Sequence, residues 1–278
     1  MLKAVKFVGF IEPDRATSKC FHVTATDGRD WVVRARKLGY NAKRLFNEYL
    51  AGMIACEFGL ARPKVQLIRI PYKIFKELDE NDFDNSCSIG AATEYVEGLE
   101  LIPKPPNSTN IDWTSPAFRV KNRTHLESIL GPDYSFDQFY AQRVFADWIL
   151  LEDDWKYENL HITPENTPIF LDLDFAFNGG GWKDLPHVYD WIHMFSPQAP
   201  YCEGIIKELS LFEPWFNKLR SLRKEMFQQA IDTLPMEWEI PTNYLDTLMN
   251  LLFGDINHFL EQFEYAFEIK IEMNEFLD

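Results

Sequence analysis

The chain has 278 residues, a formal net charge of −15 at pH 7, and a composition that is 46% hydrophobic and 15% aromatic. A chain this long and this apolar can bury a substantial core, either as one large domain or as two lobes that share a cleft. The negative charge repels phosphate backbones and so argues against direct, sequence-independent binding of nucleic acid. An anionic ligand would need local basic groups or metal ions to offset this field.

The sequence has no feature of a secreted or membrane protein. Its amino-terminal segment is too short and too mixed for a signal peptide, and no apolar run reaches the roughly 18 residues of a membrane span. No two cysteines form a Cys-x-x-Cys pair. We therefore expect a cytoplasmic protein in a reducing compartment that does not bind membranes, with Cys56 as a buried free thiol. The four cysteines are Cys20, Cys56, Cys87 and Cys202.

The amino-terminal third is predicted to be a small sheet with one helix. Alternating and β-branched residues predict strands over 2–11 and 20–36, with a hairpin turn at TDGR inside the second range. Apolar residues that recur every three or four positions predict a helix over 41–63, capped by Asn41 and ended by Gly59 and Pro63. Further strands are predicted over 64–72 and 90–98. Residues 1–98 are thus assigned to a β-rich lobe.

The rest of the chain is predicted to be mostly helical. Residues 99–134 are assigned to a linker or insertion, because 103–120 is rich in Pro and Ser and is interpreted as a loop. Residues 135–278 are assigned to a second lobe, in which a helix begins at Ser135 and a hairpin precedes the glycine run at 179–181. Later helices are predicted over 185–195, 203–233 and 241–271. The expected fold class is α+β with two lobes.

The stretch EDDWKYENLHI at 152–162 carries polar residues in an unusual spacing. Asp154, Lys156 and Asn159 follow an apolar helix pattern and precede the hairpin. The hairpin ends in an acidic pair, Asp172 and Asp174, which a strand would place on one face because its side chains alternate. Asp and Asn are common in ordinary loops, so the loop residues alone would not indicate a site. Their order with the lysine, the hairpin and the acidic pair favours a function.

Carboxylate and amide oxygens from adjacent loop ends suit a hard cation such as Mg²⁺, which completes its shell with phosphate and water. A free carboxylate such as Asp154 can take a proton from an attacking hydroxyl. A lysine two residues later, Lys156, can offset charge on a transferred phosphoryl group. The set therefore predicts phosphoryl transfer, in which positioning and charge neutralisation supply most of the catalysis.

DWKYENLHI resembles the catalytic loop of protein kinases, which reads Asp-x-Lys-x-x-Asn before a short hairpin. DLDFAF stands where those kinases carry Asp-Phe-Gly. The wider pattern is similar to the HipA-like kinases, an atypical branch of the fold: WVVRAR is followed by a helix containing NE, and LDLDFAF has its first Asp thirteen residues after Asn159. The resemblance covers roughly residues 5–100 and 136–182, and it implies a two-lobed kinase-like fold.

The resemblance implies a role for each matching residue. Asp154 matches the catalytic Asp, Asn159 the metal-binding Asn, and Asp172 the metal-chelating Asp, with Asp174 as a close second. Arg34 occupies the position of the strand lysine that binds ATP phosphates in the family. Glu48 occupies the position of the helix glutamate that orients this lysine. The remaining implied ATP contacts are Thr17, Ser18 and Lys19 in the phosphate loop, and Glu94 and Val96 in the hinge that holds adenine.

Two departures from the family pattern leave alternatives open. The strand lysine is replaced by Arg34, which is bulkier and forks differently, and the phosphate loop at 15–20 has no glycine. The expected function is an ATP- and Mg²⁺-dependent kinase acting on a Ser or Thr hydroxyl of an unidentified protein. The alternatives are a nucleotide-binding pseudokinase or scaffold, and a kinase for a small molecule or a lipid head group. The resemblance also permits an antitoxin-like protein partner.

Overall fold

A computed structural model describes residues 1–11, 20–78, 82–102, 116–131, 135–150, 159–182, 185 and 208–275. The fold is mixed α+β, with a β-rich amino-terminal part and a helical carboxy-terminal part, as predicted. No helix in the described ranges is long and apolar enough to cross a membrane.

Five strands close into a barrel in the order β1-β2-β3-β5-β4. Neighbouring strands run antiparallel except β1 and β4, whose parallel pairing of Leu2 with Ile68 closes the barrel. Two register shifts in β1, after Ala4 and after Phe7, increase its bend, so that it can pair with β2 on one side and β4 on the other. The strands are β1 (Leu2–Ile11), β2 (Cys20–Ala25), β3 (Asp30–Arg34), β4 (Val65–Arg69) and β5 (Ile89–Glu94).

Helix α1 (Lys43–Glu57) connects β3 to β4 and lies between the barrel and the carboxy-terminal helices. Most of its residues are buried, because one side packs against β4 and β5 and another against the helical part. The Asn41 side chain accepts a hydrogen bond from the Lys43 N–H at 3.0 Å, which satisfies one of the free amides at the predicted helix start. The helix ends six residues before the predicted Pro63, and Gly59 follows at φ +73.

The carboxy-terminal part consists of shorter helices than predicted. In the described part of 203–233, a 3₁₀ turn at Leu209–Phe212 precedes two α-helices, which are separated at Leu222 with its extended backbone. The range 241–271 is interrupted at Gly254 and Asp255. The Asp255 carboxylate accepts the His258 N–H at 3.0 Å and so caps the second piece. Helix α3 begins at Pro116, inside the predicted loop, and the predicted helix over 185–195 lies almost wholly outside the described residues. The helices are α2 (Tyr72–Phe75), α3 (Pro116–Ile129), α4 (Phe136–Leu150), α5 (Glu213–Ser221), α6 (Lys224–Asp232), α7 (Thr242–Phe253) and α8 (Ile256–Glu275).

The two parts meet along strand β5 as well as along α1. A short 3₁₀ turn, Met236–Trp238, joins α6 to α7 and reaches the amino end of β5. The Ile89 N–H donates to the Glu237 carboxylate at 2.7 Å, and the Trp238 indole N–H donates to the Ile89 carbonyl at 3.0 Å.

A second sheet, formed by β6 (Glu100–Leu101), β7 (Leu160–Ile162) and β8 (Pro168–Phe170), contains the predicted hairpin.

Candidate functional site

The hairpin places Asn159 and the acidic pair at the same end of the second sheet. Leu160 on β7 pairs with Phe170 on β8, and the next N–H, from Leu171, donates to the Asn159 carbonyl at 2.9 Å. Asn159 is buried and stands immediately before β7, while Asp172 follows β8 by two residues. Asn159 and Asp172 therefore lie close along the backbone on the two sides of the hairpin.

The acidic pair is not on a strand, contrary to the prediction. Strand β8 ends at Phe170, and Asp172 adopts a left-handed conformation with φ +62. Few residues other than glycine adopt this conformation; Asp and Asn tolerate it best, and it is often found at functional sites. Asp174 begins the turn that follows. This backbone reversal, and not strand alternation, brings the two carboxylates together.

Arg34 joins the two carboxylates across the two parts of the chain. It is the last residue of β3; its Nη2 lies 2.8 Å from the Asp172 Oδ1, and its Nη1 donates to the Asp174 Oδ2. The Arg34 side chain is only 10% exposed, and a buried charge of this kind is tolerated only when it is paired. Burial acts to lower the pKa of Arg34, but the charges of Asp172 and its other acidic neighbours raise it above the ordinary value, so the guanidinium stays charged.

The two carboxylates differ in what can reach them. The Asp174 side chain is 3% exposed, and burial raises its pKa to about 7, with Asp172 adding to the rise while Arg34 and Arg44 oppose it. Arg44 approaches the Asp174 carboxylate at 3.5 Å. The Asp172 side chain is 32% exposed. Asp172 is thus the member of the pair that a ligand can reach from solvent.

A hydrogen-bond chain from α1 holds the turn that carries the acidic pair. The Asn47 side-chain amide donates to the carbonyls of Asp174, at 2.8 Å, and Gly179, at 3.1 Å. The Lys43 ammonium donates to the Asn47 Oδ1 at 2.5 Å and to the Phe177 carbonyl at 3.1 Å. Sequence reasoning missed both residues, although their spacing of four on one helix face is a signal for such a pair.

The Lys43 ammonium is fully buried inside a cage of aromatic rings. Four ring centroids lie 4.5 to 5.6 Å from its Nζ, within the range of cation–π attraction. The Tyr244 hydroxyl also donates to the Phe177 carbonyl at 2.8 Å, which ties α7 to the same turn. The four rings belong to Phe46, Phe177, Trp182 and Tyr244.

Glu48 has a different partner from the one predicted. Its carboxylate is 2.8 Å from Nη2 of the buried Arg62, and it also accepts the Thr93 hydroxyl at 3.2 Å. Its other oxygen accepts the Leu173 N–H at 3.0 Å. Glu48 thus pairs with Arg62 and not, as predicted, with Arg34, because this part of α1 faces β5 and the segment leading into β4. Glu48 still acts on the site, since Leu173 lies between the two acidic residues.

The predicted hinge is partly used by the protein itself. The Glu94 N–H donates to the Lys64 carbonyl at 2.8 Å, and the Glu94 carboxylate pairs with Arg29 at 2.7 Å. A ligand could not take these groups without breaking those bonds. Val96 is half-buried two residues past β5 and stays the predicted contact for adenine. Five other predicted site residues lie outside the described residues: Thr17, Ser18, Lys19, Asp154 and Lys156.

The described residues fit a divalent ion that also binds phosphate. Asp172 and Asp174 already share one cation, so their oxygens converge on a common point. In the described ranges no group of three or more His, Cys, Asp or Glu side chains could hold a metal. Mg²⁺ needs only one or two carboxylates when substrate phosphates and waters complete its shell, so the pair suits Mg²⁺ bound together with a nucleotide.

Comparison with known proteins gives a likeness of fold only. No protein-family model matches the chain, and no curated protein matches it. Solved structures do match, among them the crystal structure of a Helicobacter pylori proinflammatory kinase, CtkA, with a TM-score of 0.51 and 12% identity. The match covers 96% of this chain and 97% of the CtkA chain. The chain therefore has a kinase-like fold, in which closure of the five described strands into a barrel is unusual.

Proposed function

We propose that the chain is an ATP- and Mg²⁺-dependent kinase of the HipA-like group that transfers the γ-phosphoryl group of ATP to a Ser or Thr hydroxyl of a protein. The kinase-like fold supports phosphotransfer at the coarse level. Phosphoryl transfer requires the protein mainly to position its substrates and to neutralise charge. Cations and carboxylates gathered at one point meet both requirements.

One observation carries the proposal: the Arg34 guanidinium contacts both Asp172 and Asp174. Arg34 comes from the barrel, and the acids follow a hairpin 138 and 140 residues later in the chain. A phosphate-binding cation on β3 and a metal-binding carboxylate after a hairpin are the two groups that a kinase must bring together around ATP. The sequence resemblance assigned these roles to the same residues.

In the proposed reaction, Asp172 and Asn159 would hold Mg²⁺, which would supply positive charge to neutralise the phosphates. Arg34 would bind the phosphates with its planar fork of donors. Asp154 would accept the proton of the acceptor hydroxyl, and Lys156 would offset the charge of the transferred group. The phosphate loop with Thr17, Ser18 and Lys19 would contact the triphosphate through hydroxyl and amide groups.

A second candidate is a nucleotide-binding protein without transfer. Arg34 favours this candidate. Its guanidinium binds two carboxylates at once, and this geometry differs from the one expected of the strand lysine. Such a protein would bind ATP and consume none. A kinase for a small molecule or a lipid head group would consume ATP only when that acceptor is present.

ATP consumption by the purified protein tests the proposal. With Mg²⁺ present, we expect ADP to form and Asp172→Asn to lower its rate by about a hundredfold or more, because weaker Mg²⁺ binding removes positive charge that would stabilise the transition state. Asp232→Asn is the control, since Asp232 is an exposed residue at the end of α6 whose carboxylate bonds only Gln228 among the described residues. Equal rates for the wild type and Asp172→Asn would contradict the proposed role of Asp172.

Mass spectrometry of the same reaction separates the candidate functions. Phosphate on a Ser or Thr of the chain or of an added protein supports protein kinase activity. ATP binding with no ADP and no phosphorylated product supports the second candidate.

A further inference from the structure

Arg34 occupies the point at which the two carboxylates of the acidic pair converge. Its two terminal nitrogens are used separately, one on Asp172 and one on Asp174. The guanidinium and the Asp174 carboxylate are nearly buried, so water does not compete effectively for their contact, whereas Asp172 is partly exposed. A divalent ion that binds the pair where it converges must approach Asp172 Oδ1 and Asp174 Oδ2, the two oxygens that Arg34 contacts, and an ion elsewhere on Asp172 would still lie close to the guanidinium charge.

Arg34 cannot leave this point by losing its proton, because a guanidinium stays charged in proteins. A free divalent ion would therefore have to push a buried cation away from its partners and then remain close to it. Separating a buried ion pair is strongly unfavourable when one charge is left without a partner. The free ion supplies no negative charge that could take the place of the carboxylates.

A nucleotide changes this balance, because its phosphates are good partners for a guanidinium. Arginine binds phosphate through two parallel N–H bonds, as it does carboxylate. If Arg34 turns toward a triphosphate, Asp172 is released at the exposed side of the pair. Asp174 keeps a cation, because Arg44 lies 3.5 Å from it on the other side.

We propose that Arg34 is an internal counter-ion that closes the carboxylate pair to free divalent ions, and that a nucleoside triphosphate opens the pair by drawing the guanidinium to its phosphates. Metal binding is then coupled to nucleotide binding and weak without it. This inference rests on the proposed function, whose nucleotide site it uses. It assigns to Arg34 a role in the order of binding, in addition to its contact with phosphate.

Binding of Mn²⁺, measured by the electron paramagnetic resonance signal of the free ion, tests the proposal without any turnover. We expect weak binding to the wild type and binding at least about tenfold tighter to Arg34→Met, which removes the cation and keeps the stem. Arg34→Lys should lie between them, because a single ammonium pairs closely with only one carboxylate at a time. Wild-type binding should tighten when a non-hydrolysable ATP analogue is added.

Arg123→Met is the matched control for loss of a positive charge. Arg123 also bridges two carboxylates, Glu127 at 2.8 Å and Asp137 at 3.0 Å, but it is 36% exposed and lies on α3. Its removal should leave Mn²⁺ binding unchanged. If Arg34→Met does not fold, Arg34→Lys alone decides, since it must still bind Mn²⁺ more tightly than the wild type.

Four results separate this inference from the proposed function. Tight Mn²⁺ binding by the wild type without nucleotide would overturn the counter-ion role while the kinase proposal stands. So would Mn²⁺ affinities of the Arg34 variants that are no higher than that of the wild type. A gain in Arg34→Met that Arg123→Met matches would also overturn it. If no variant bound the ATP analogue, the proposed function would be wrong, whereas a gain specific to Arg34→Met would still support closure of the pair by Arg34.

Discussion

At the scale of single residues, the site depends on two buried cations that have opposite kinds of partner. Arg34 is held by carboxylates, whereas Lys43 is held by aromatic faces and neutral oxygens. The Arg34 guanidinium can move from the carboxylates to another anion, because phosphate accepts the same two parallel N–H bonds as carboxylate does. The Lys43 ammonium contacts rings and carbonyl oxygens of α1 and of the turn after Asp174, and so it fixes the one to the other.

Replacing Lys43 by Met should lower the free energy of unfolding by about 2–3 kcal/mol. The variant loses the cation–π contacts and leaves the Asn47 oxygen without its buried donor. Urea unfolding followed by circular dichroism measures the change. Lys73→Met is the control, since Lys73 is exposed and its ammonium donates, within the described ranges, only to the Val5 carbonyl, so its effect should stay below about 0.5 kcal/mol. Equal losses in the two variants would refute the role of the cage.

His161, on the hairpin strand next to Asn159, should make stability depend on pH. Burial lowers the pKa of His161, although a hydrogen bond with Asn159 opposes the shift. The folded state therefore binds a proton less readily than the unfolded state, and stability is lost as the pH falls below about 6.5, the ordinary value for His. His161→Gln should lose less stability than the wild type between pH 8 and pH 5. Parallel loss in both proteins would contradict this.

The spacing of residue types selected candidate side chains, but not their partners. Arg34, Asn159 and Asp172 were selected because their order along the chain matches a known pattern, and Arg34 does contact Asp172. The pairing of Glu48 with Arg62 was missed, since both residues depend on how α1 packs against the strand after it. The Lys43 cage was missed for a similar reason: its rings come from α1, the turn and α7.

At the scale of elements, the site depends on the close approach of β5 to β3. Gly90 on β5 has so little space that a methyl group there would lie 2.5 Å from the Arg34 carbonyl oxygen and 3.2 Å from the Ile70 and Val33 side chains. The backbone at Arg34 could yield only by moving β3. The barrel therefore sets the position from which the guanidinium reaches the acidic pair.

Gly90→Ala should destabilise the protein by about 1–2 kcal/mol. Ala is preferred to Gly inside a strand by about 0.5–1 kcal/mol, but overpacking costs about 1–3 kcal/mol, and the nearest atom belongs to the backbone. Gly9→Ala on β1 is the control, because no neighbouring heavy atom lies within 4 Å of the added methyl group. Urea unfolding should show a loss for the first variant and none for the second; a gain in both would contradict the packing argument.

Local patterns predicted most element positions and failed where tertiary contacts decide. The strands and α1 follow alternation and helical periodicity, and their observed bounds differ from the predicted ones mainly at the ends. The break between α7 and α8 was missed although Gly254 and Asp255 are typical helix end and start residues. The left-handed backbone conformation of Asp172 could not be predicted from the local sequence, since strand alternation predicts extended backbone there.

At the scale of the whole molecule, the barrel and the helical part are joined on both sides of the candidate site. Arg34 meets the acidic pair on one side, and the Glu237–Trp238 turn bonds Ile89 at the start of β5. Both junctions connect residues far apart in sequence, so the sequence predicted two parts without showing how they are held together. A ligand that binds between them should stabilise the whole fold, because it binds only when both are in place.

Thermal unfolding in the presence of ATP, with and without Mg²⁺, tests the central claim most directly. We predict that the melting temperature rises with ATP concentration, that Mg²⁺ increases the rise, and that Asp172→Asn removes the part that depends on Mg²⁺. Asp232→Asn should behave as the wild type does. An unchanged melting temperature up to millimolar ATP with Mg²⁺ would contradict the claim that Arg34 and the acidic pair form a nucleotide site.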